Sequence, residues 1–441
     1  MRETNINTPI DSQVVQRLVM ESGLPKIGRG TIREIVRLVN RIEEATGNEF
    51  VRMEMGVPGL PPAQAGIEAE IEALKKGVAS KYPMIEGVKE LKEEISRFVK
   101  LFLNLDVSPE GCIPTVGSMM GSMAAFLVAN RNDKTKEGTL FIDPGFPVQK
   151  QQVMVLGHEY CSFDIYKYRG KKLRAKLLSY LKTGKVSSIL YSNPNNPSWI
   201  CFTDEELKII GELATEYDVV VIEDLAYFGM DFRKDFSRPG QAPYQPTVAN
   251  YTDNFLLLIS SSKAFSYAGQ RVGMMVIGDE LFSRKYPDLK RFYTSDGFGY
   301  SIIYGALYAL SAGVCHSAQY GLTGILKEVN EGRYNYRSDV LEYGERAKVM
   351  KQLFVDNGFR IVYDMDMDEP IADGFYFTFS YTGFSGVDLI EELLYYGISA
   401  ISLDITGSER SEGVRACVSQ VQKSQFGILE DRLKAFNRDH T

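Results

Sequence analysis

Histidine is scarce in this chain, with three in 441 residues, at positions 158, 316 and 440. Imidazoles so dispersed form no ligand cluster, which sets aside zinc hydrolysis and Ser-His-Asp chemistry. Tryptophan occurs once, at Trp199. The five cysteines, Cys112, Cys161, Cys201, Cys315 and Cys417, include no CxxC pair. In a chain of this size they read as reduced, mostly buried thiols of a cytosolic protein. Long hydrophobic runs are missing too. The longest strongly apolar stretch, Phe255–Ile259, is far short of the ~20 residues a membrane helix needs. The first twenty residues lack the apolar core of a signal peptide. Positive charge is not in excess: Lys+Arg 50 against Asp+Glu 57 leaves a net −7. Such a chain gains nothing from the phosphate backbone of nucleic acid.

What is present is the balance of an ordinary soluble globular protein, 44% hydrophobic and 24% charged. That composition excludes a disordered chain, a collagen-like fibre and a disulfide-stapled miniprotein. At roughly 150 residues per domain, the length suggests two or three domains, or one large domain with a smaller companion.

The first 50 residues read as helical, with Ile32, Ile35, Val36, Val39 and Ile42 at helical spacing between charged residues. A loop rich in glycine and proline follows, from Gly56 to Pro62. After it, helical patterns alternate with short apolar runs: Thr139–Ile142, Val186–Tyr191, Val219–Ile222, Phe255–Ile259 and Val272–Ile277. Buried runs separated by helix-length segments predict parallel strands with crossover helices. Beyond about residue 325 a long charged helix is expected from Leu322 to Asn357. Strands at 359–365 and 374–381, a helix over Val387–Tyr396 and a last strand at Val414–Val421 complete a smaller α+β unit.

In an open parallel sheet, ligands bind at the carboxyl ends of the strands. Four strand ends carry polar residues worth reading together: Asn193-Pro-Asn-Asn-Pro197, Asp224-Leu-Ala-Tyr227, Ser260-Ser-Ser-Lys263 and Arg271-Val-Gly273. Taken singly, an NP pair is a turn, a lysine after serines is a solvated loop residue, and Asp224 is a helix N-cap. Their order and spacing say more. Asn196 to Asp224 is 28 residues, Asp224 to Lys263 is 39, and Lys263 to Arg271 is 8.

On these motifs the chain resembles the fold-type I pyridoxal 5'-phosphate (PLP) enzymes, specifically the class I/II aminotransferases, from about Gly56 to Val418. The resemblance implies an α/β fold of the aspartate aminotransferase type. A large domain would carry a mainly parallel sheet with helices on both faces, beside a smaller α+β domain. The expected borders are 1–60 for an N-terminal helical segment packing with the small domain and a dimer partner, 61–322 for the PLP-binding domain, and 323–441 for the small domain. The implied activity is transfer of an amino group between an L-amino acid and a 2-oxo acid by a ping-pong mechanism through a Lys263 Schiff base. The implied partners are these small molecules and a second copy of the chain, in the cytoplasm, with no nucleic acid, membrane or metal.

The site roles follow by the same resemblance. Lys263 holds PLP as an imine and then shuttles the substrate proton. Asp224 pairs with the pyridine nitrogen and raises its pKa. Tyr227 and Asn196 hydrogen-bond the phenolic oxygen. Gly117, Ser118 and Met119 open a helix whose free N–H groups suit the phosphate. Ser260, Ser262 and the guanidinium of Arg271 complete that cradle. Phe146 stacks on the cofactor ring, unless it is a core phenylalanine. Tyr82 reaches the phosphate of the partner subunit. Arg415 grips the substrate α-carboxylate, unless it is a surface arginine on an edge strand. Gly56 lies in the loop that closes over the substrate.

Two features depart from the pattern or drop out. Most relatives continue NPxNP with Thr-Gly, where this chain has Ser198-Trp199. The acidic stretch from Asp364 begins like a calcium loop but has Glu369 in place of the required glycine and Phe375 in place of the required glutamate; it reads as a solvated hairpin. Arg291, beside Lys290 on a helical stretch, reads as a surface charge more than as a selector of acidic side chains. Two rival functions stay in view. One is another reaction of the same fold and cofactor, such as a C–S β-lyase, since the motifs do not separate these. The other is a ligand-sensing regulator, disfavoured by the acidic chain and the short segment before Gly56.

Overall fold

The computed structural model describes residues 8–136 and 138–441, so the first seven residues of the expected N-terminal segment lie outside the described ones. By its contacts the chain divides into two units. The larger comprises Leu60–Asn195 and Cys201–Val340; the smaller comprises residues up to Gly59, Asn196–Ile200 and Leu341–Thr441.

In the larger unit seven strands form one sheet: β1 (Cys112–Thr115), β2 (Gly138–Asp143), β3 (Glu159–Asp164), β4 (Val186–Ser192), β5 (Val220–Leu225), β6 (Phe255–Ser260) and β7 (Gly273–Ile277). Their order across the sheet is β1-β7-β6-β5-β4-β2-β3. The central strands β4, β5 and β6 are buried along their whole length. This is why they read as unbroken apolar runs without alternation. Their side chains, Leu190, Ile222, Leu256 and Leu258 among them, form a core with Ala124, Ala125 and Phe126 of the Gly117–Ala129 helix.

The sheet is mainly parallel, as expected, with one reversal. β7 pairs antiparallel with both β6 and β1. The twelve or so residues between β6 and β7 hold only single helical turns, too little for the crossover helix a parallel return requires. β1 and β3 were not legible as strands. Pro114 interrupts the first, and the edge strand β3 exposes Glu159 and Tyr160.

In the smaller unit β8 (Phe359–Ile361), β9 (Tyr376–Tyr381), β10 (Ile401–Ser402) and β11 (Val414–Cys417) form an antiparallel sheet in the order β10-β11-β9-β8. A short parallel pair, Val51–Arg52 with Ile398–Ser399, ties the N-terminal stretch to this unit. The strands expected at 359–365 and 414–421 are shorter than the sequence suggested. The hairpin at Met365–Pro370 is present, with Met367 at φ 59 in its turn. The long helix expected from Leu322 to Asn357 is two helices, His316–Asn330 and Tyr336–Asp356, broken at Gly332 with φ 70. A glycine adopts that left-handed turn without the clash a Cβ would bring. The contact boundary accordingly lies at 340/341 rather than at 322/323. Of the five cysteines, all free, only Cys112 and Cys417 are fully buried.

Candidate active site

Register aligns the carboxyl ends of the strands. Ser192 of β4 lies opposite Asp224 of β5, Leu225 of β5 opposite Ile259 of β6, and Ser260 of β6 opposite Gly273 of β7. Asp224 is buried there, with Oδ2 accepting from Gln149 Nε2 at 2.8 Å and Oδ1 from the Ala226 N–H at 3.0 Å. Burial pushes its carboxyl up to about 6, against the pull of those two hydrogen bonds and of the nearby Lys263 charge. Lys263 stands on the single helical turn Ser261–Ala264 directly after β6 and is half-buried. Tyr227, two residues past the end of β5, is buried. A lysine charge thus acts on a carboxylate kept from water.

Beside this pair is an anion cradle. Gly117 begins a 13-residue helix at φ 66, and a Cβ built on it would fall 2.5 Å from Arg271 Nη2. The guanidinium therefore lies directly over the helix N-terminus, where N–H groups and dipole already favour negative charge. Arg271 itself sits at φ 52 and donates through Nη1 to the Ala268 carbonyl at 2.9 Å. Among the described residues, the buried hydroxyls of Ser118 and Thr115 have no hydrogen-bond partner. Buried donors are rarely left so, and a bound anion would satisfy them. Ser260 Oγ accepts from the Ser262 N–H at 3.1 Å, which fixes the turn leading to Lys263. The Met119 carbonyl is taken by Ser122 and Gln152. This leaves its N–H side to the helix start.

Phe146 caps the Pro147–Val155 helix and is half-buried with no ring partner among the described residues. The core-phenylalanine alternative thus has no packing partner. Tyr82 is not drawn into the cluster. It is 94% exposed, beside Pro83, Met84, His316 and Tyr320 on the surface.

The smaller unit holds Gly56, Asn196 and Arg415. Arg415 is no surface residue: it is 1% exposed, on the inner strand β11. Nη1 donates to Asn196 Oδ1 at 3.3 Å and Nη2 to the Glu54 carbonyl at 2.6 Å, while Nε is buried with no partner among the described residues. A guanidinium held at two corners with an uncommitted N–H suits an incoming carboxylate. The Glu54 side chain faces elsewhere, to Arg52 and Ser399. The Gly56–Gly59 loop is fastened to residues just past β11. Ser419 Oγ and Gln420 Nε2 donate to the Val57 carbonyl, Gln420 also to Pro58, and the Gly59 N–H donates to Tyr343.

Sequence reasoning missed Gln149, the Glu54 carbonyl and Tyr376, whose ring lies under Arg415. Only Gln149 left a signal, one helical turn after Phe146. Arg291, exposed and bonded to the Asp288 carbonyl, is the surface charge expected.

These residues fit PLP on their own chemistry. A primary amine, a buried carboxylate and an anion cradle with unsatisfied hydroxyls match its aldehyde, ring nitrogen and phosphate. Comparison with known proteins agrees. The family described as aminotransferase class I and II matches residues 49–336. A probable aspartate aminotransferase of Methanocaldococcus jannaschii is 25% identical over 384 residues, 82% of this chain and 95% of that one. The LL-diaminopimelate aminotransferase of Natranaerobius thermophilus is 25% identical over 73% of this chain and 76% of its own. In fold, a double mutant of Thermus thermophilus aspartate aminotransferase superposes with a TM-score of 0.74, at 17% identity, over 96% of this chain and 98% of that one. With well over half its length matched, this chain belongs to the class I and II aminotransferases, enzymes that use PLP to transfer amino groups.

Proposed function

We propose that Lys263, Asp224 and Tyr227 are the catalytic residues of this transaminase. Gly117, Ser118, Met119, Ser260, Ser262 and Arg271 hold the cofactor phosphate, Phe146 the ring face, and Arg415 with Asn196 the substrate carboxylate under the Gly56 loop. The observation that carries this reading is the Lys263 charge acting on the buried Asp224 at the carboxyl edge of the sheet.

When bound, PLP supplies an electron sink for the pair left on the substrate α-carbon after its proton departs. The protein does the rest. Lys263 Nζ anchors the cofactor at rest and, once freed, takes the α-proton and returns it in the reverse half-reaction. Asp224, costly to ionise where it lies, is held ionised by a cationic ring N–H and in turn keeps that proton in place. Tyr227 and Asn196 donate to the phenolic oxygen. Arg415 orients the substrate through its carboxylate, which all amino and 2-oxo acids share, so both substrates use one site in turn.

The chain works as a cytoplasmic homodimer with shared active sites on this reading. Support comes from Tyr82 and Met84, exposed together with Tyr300, Tyr304 and Tyr308, a larger apolar surface than a monomer ordinarily shows to water. The five free thiols suit a reducing compartment. The experiment is the visible spectrum of the PLP-loaded protein with single L-amino acids spanning acidic, aliphatic, aromatic and basic side chains. The cofactor band is expected to bleach with a donor and return with a 2-oxo acid, and to be missing in Lys263→Ala. Release of pyruvate and ammonia from a cysteine conjugate without an acceptor would reassign the reaction as a β-lyase. A Lys263→Ala protein with the wild-type band would overturn the site.

A further inference from the structure

The backbone at Trp199 is in the left-handed region, φ 63. That conformation costs an L-residue roughly 1–2 kcal/mol and is usually left to glycine. Here it carries the largest side chain of all, and that side chain is 0% exposed. Gly374 makes room for it: a Cβ there would lie 1.9 Å from Trp199 Cε2. The indole presents itself at 69° and 6.2 Å to the ring of Tyr376. Tyr376 in turn has its face 4.5 Å from the Arg415 guanidinium. Its hydroxyl touches Gly56, where a Cβ would fall 2.0 Å away. All of these residues belong to the smaller unit.

Arg415 is a fully buried cation with no carboxylate within 4.0 Å among the described residues. The neighbouring Glu54 carboxylate is spent on Arg52 and Ser399. What compensates the charge is one backbone carbonyl, one amide oxygen and the π-face of Tyr376. Neutral groups of this kind steady the guanidinium without occupying the edge that a carboxylate needs.

We propose that Tyr376 is the positioning residue of the substrate-carboxylate grip, fixing the plane of Arg415, and that Trp199 is the prop that holds Tyr376 there. The inference rests on the reading of Arg415 given above. It accounts for the tryptophan at a backbone position made for glycine: the indole replaces an empty turn by a rigid backing for the ring.

The test is steady-state kinetics of the PLP-loaded enzyme with the L-amino acid that bleaches it fastest. A desolvated cation–π contact is worth up to about 2 kcal/mol, so Tyr376→Leu should raise KM for both amino acid and 2-oxo acid by roughly tenfold, with kcat changed by less than about twofold. Tyr376→Phe, which keeps the face, should restore KM. Trp199→Gly, which suits the backbone but removes the prop, should shift KM the same way by a smaller factor. Tyr376→Met serves if the leucine variant does not fold, with the same KM rise expected. A wild-type KM in Tyr376→Leu or Tyr376→Met overturns the proposal. So does a Tyr376→Phe as impaired as Tyr376→Leu, because the hydroxyl and not the face would then be acting. Arg415→Lys is the control for the underlying reading: if it leaves KM unchanged, Arg415 is not the grip, whatever Tyr376 does.

Discussion

Replacing Gly117 by alanine should weaken PLP binding far more than it weakens the fold. Two costs add. The alanine must adopt φ 66, which for an L-residue costs roughly 1–2 kcal/mol. Its methyl would also stand 2.5 Å from Arg271 Nη2, closer than any real contact. The guanidinium is the free end of a flexible side chain, so it swings away and the fold survives. In swinging it leaves the phosphate, and a hydrogen bond to a charged group is worth about 1.5–3 kcal/mol. That second term acts on the cofactor alone and corresponds to a rise in PLP dissociation constant of roughly ten- to a hundredfold. Titration of apoprotein with PLP measures it directly. Thermal unfolding of the apoprotein isolates the first term, as a modest drop in midpoint present without cofactor. Unchanged PLP affinity in Gly117→Ala would refute the assignment of Gly117 and Arg271 to the phosphate.

Two further expectations concern buried carboxyls. Burial raises Glu223 to about 7, although the Thr247 hydroxyl and the Val248 N–H bond it. Because the folded pKa exceeds the unfolded one, the native state keeps this proton more tightly. The stability so gained is full below about pH 4.5 and is lost as pH rises through about 7, a swing of roughly 3 kcal/mol. Glu223→Gln should therefore gain on the wild type by that order between pH 5 and 8 in urea unfolding of apoprotein; a difference flat with pH would contradict the burial argument. Gln149→Leu keeps the side-chain volume but removes the 2.8 Å bond to Asp224. It should raise the Asp224 pKa further and weaken PLP binding by roughly tenfold, since hydrogen bonds to charged groups are worth about 1.5–3 kcal/mol. PLP titration against pH reads both effects.

The parts of this protein that were legible in its sequence are those where side-chain identity and chemistry coincide. The strands β4 to β6 announced themselves as apolar runs, and Lys263, Asp224 and Arg271 as charges at strand ends. The reversal of β7 was not legible, because strand direction depends on what the connection can span and not on the strand's composition. Nor was the break at Gly332, a lone glycine within a charged helical pattern. Around Arg415 the sequence named the cation but not what holds it. The Glu54 carbonyl is a main-chain atom that any residue would supply. Tyr376 is one aromatic among 24 Phe and 25 Tyr. Trp199 was visible as a departure, and only its backbone angle and its neighbours gave that departure a meaning.

The Gly56–Gly59 loop is latched through its carbonyls and one amide, by Ser419, Gln420 and Tyr343. Main-chain latches are indifferent to side chains. Val57 can therefore be exchanged without loosening the closure. The glycines at both ends cannot, since Gly56 meets Tyr376 and a Cβ on Gly59 would fall 1.9 Å from the Ser419 carbonyl oxygen. The loop is thus a socket with fixed rims and an interchangeable middle. A lineage, or an engineer, could retune what this enzyme accepts at that single position while the grip on the carboxylate stays as it is.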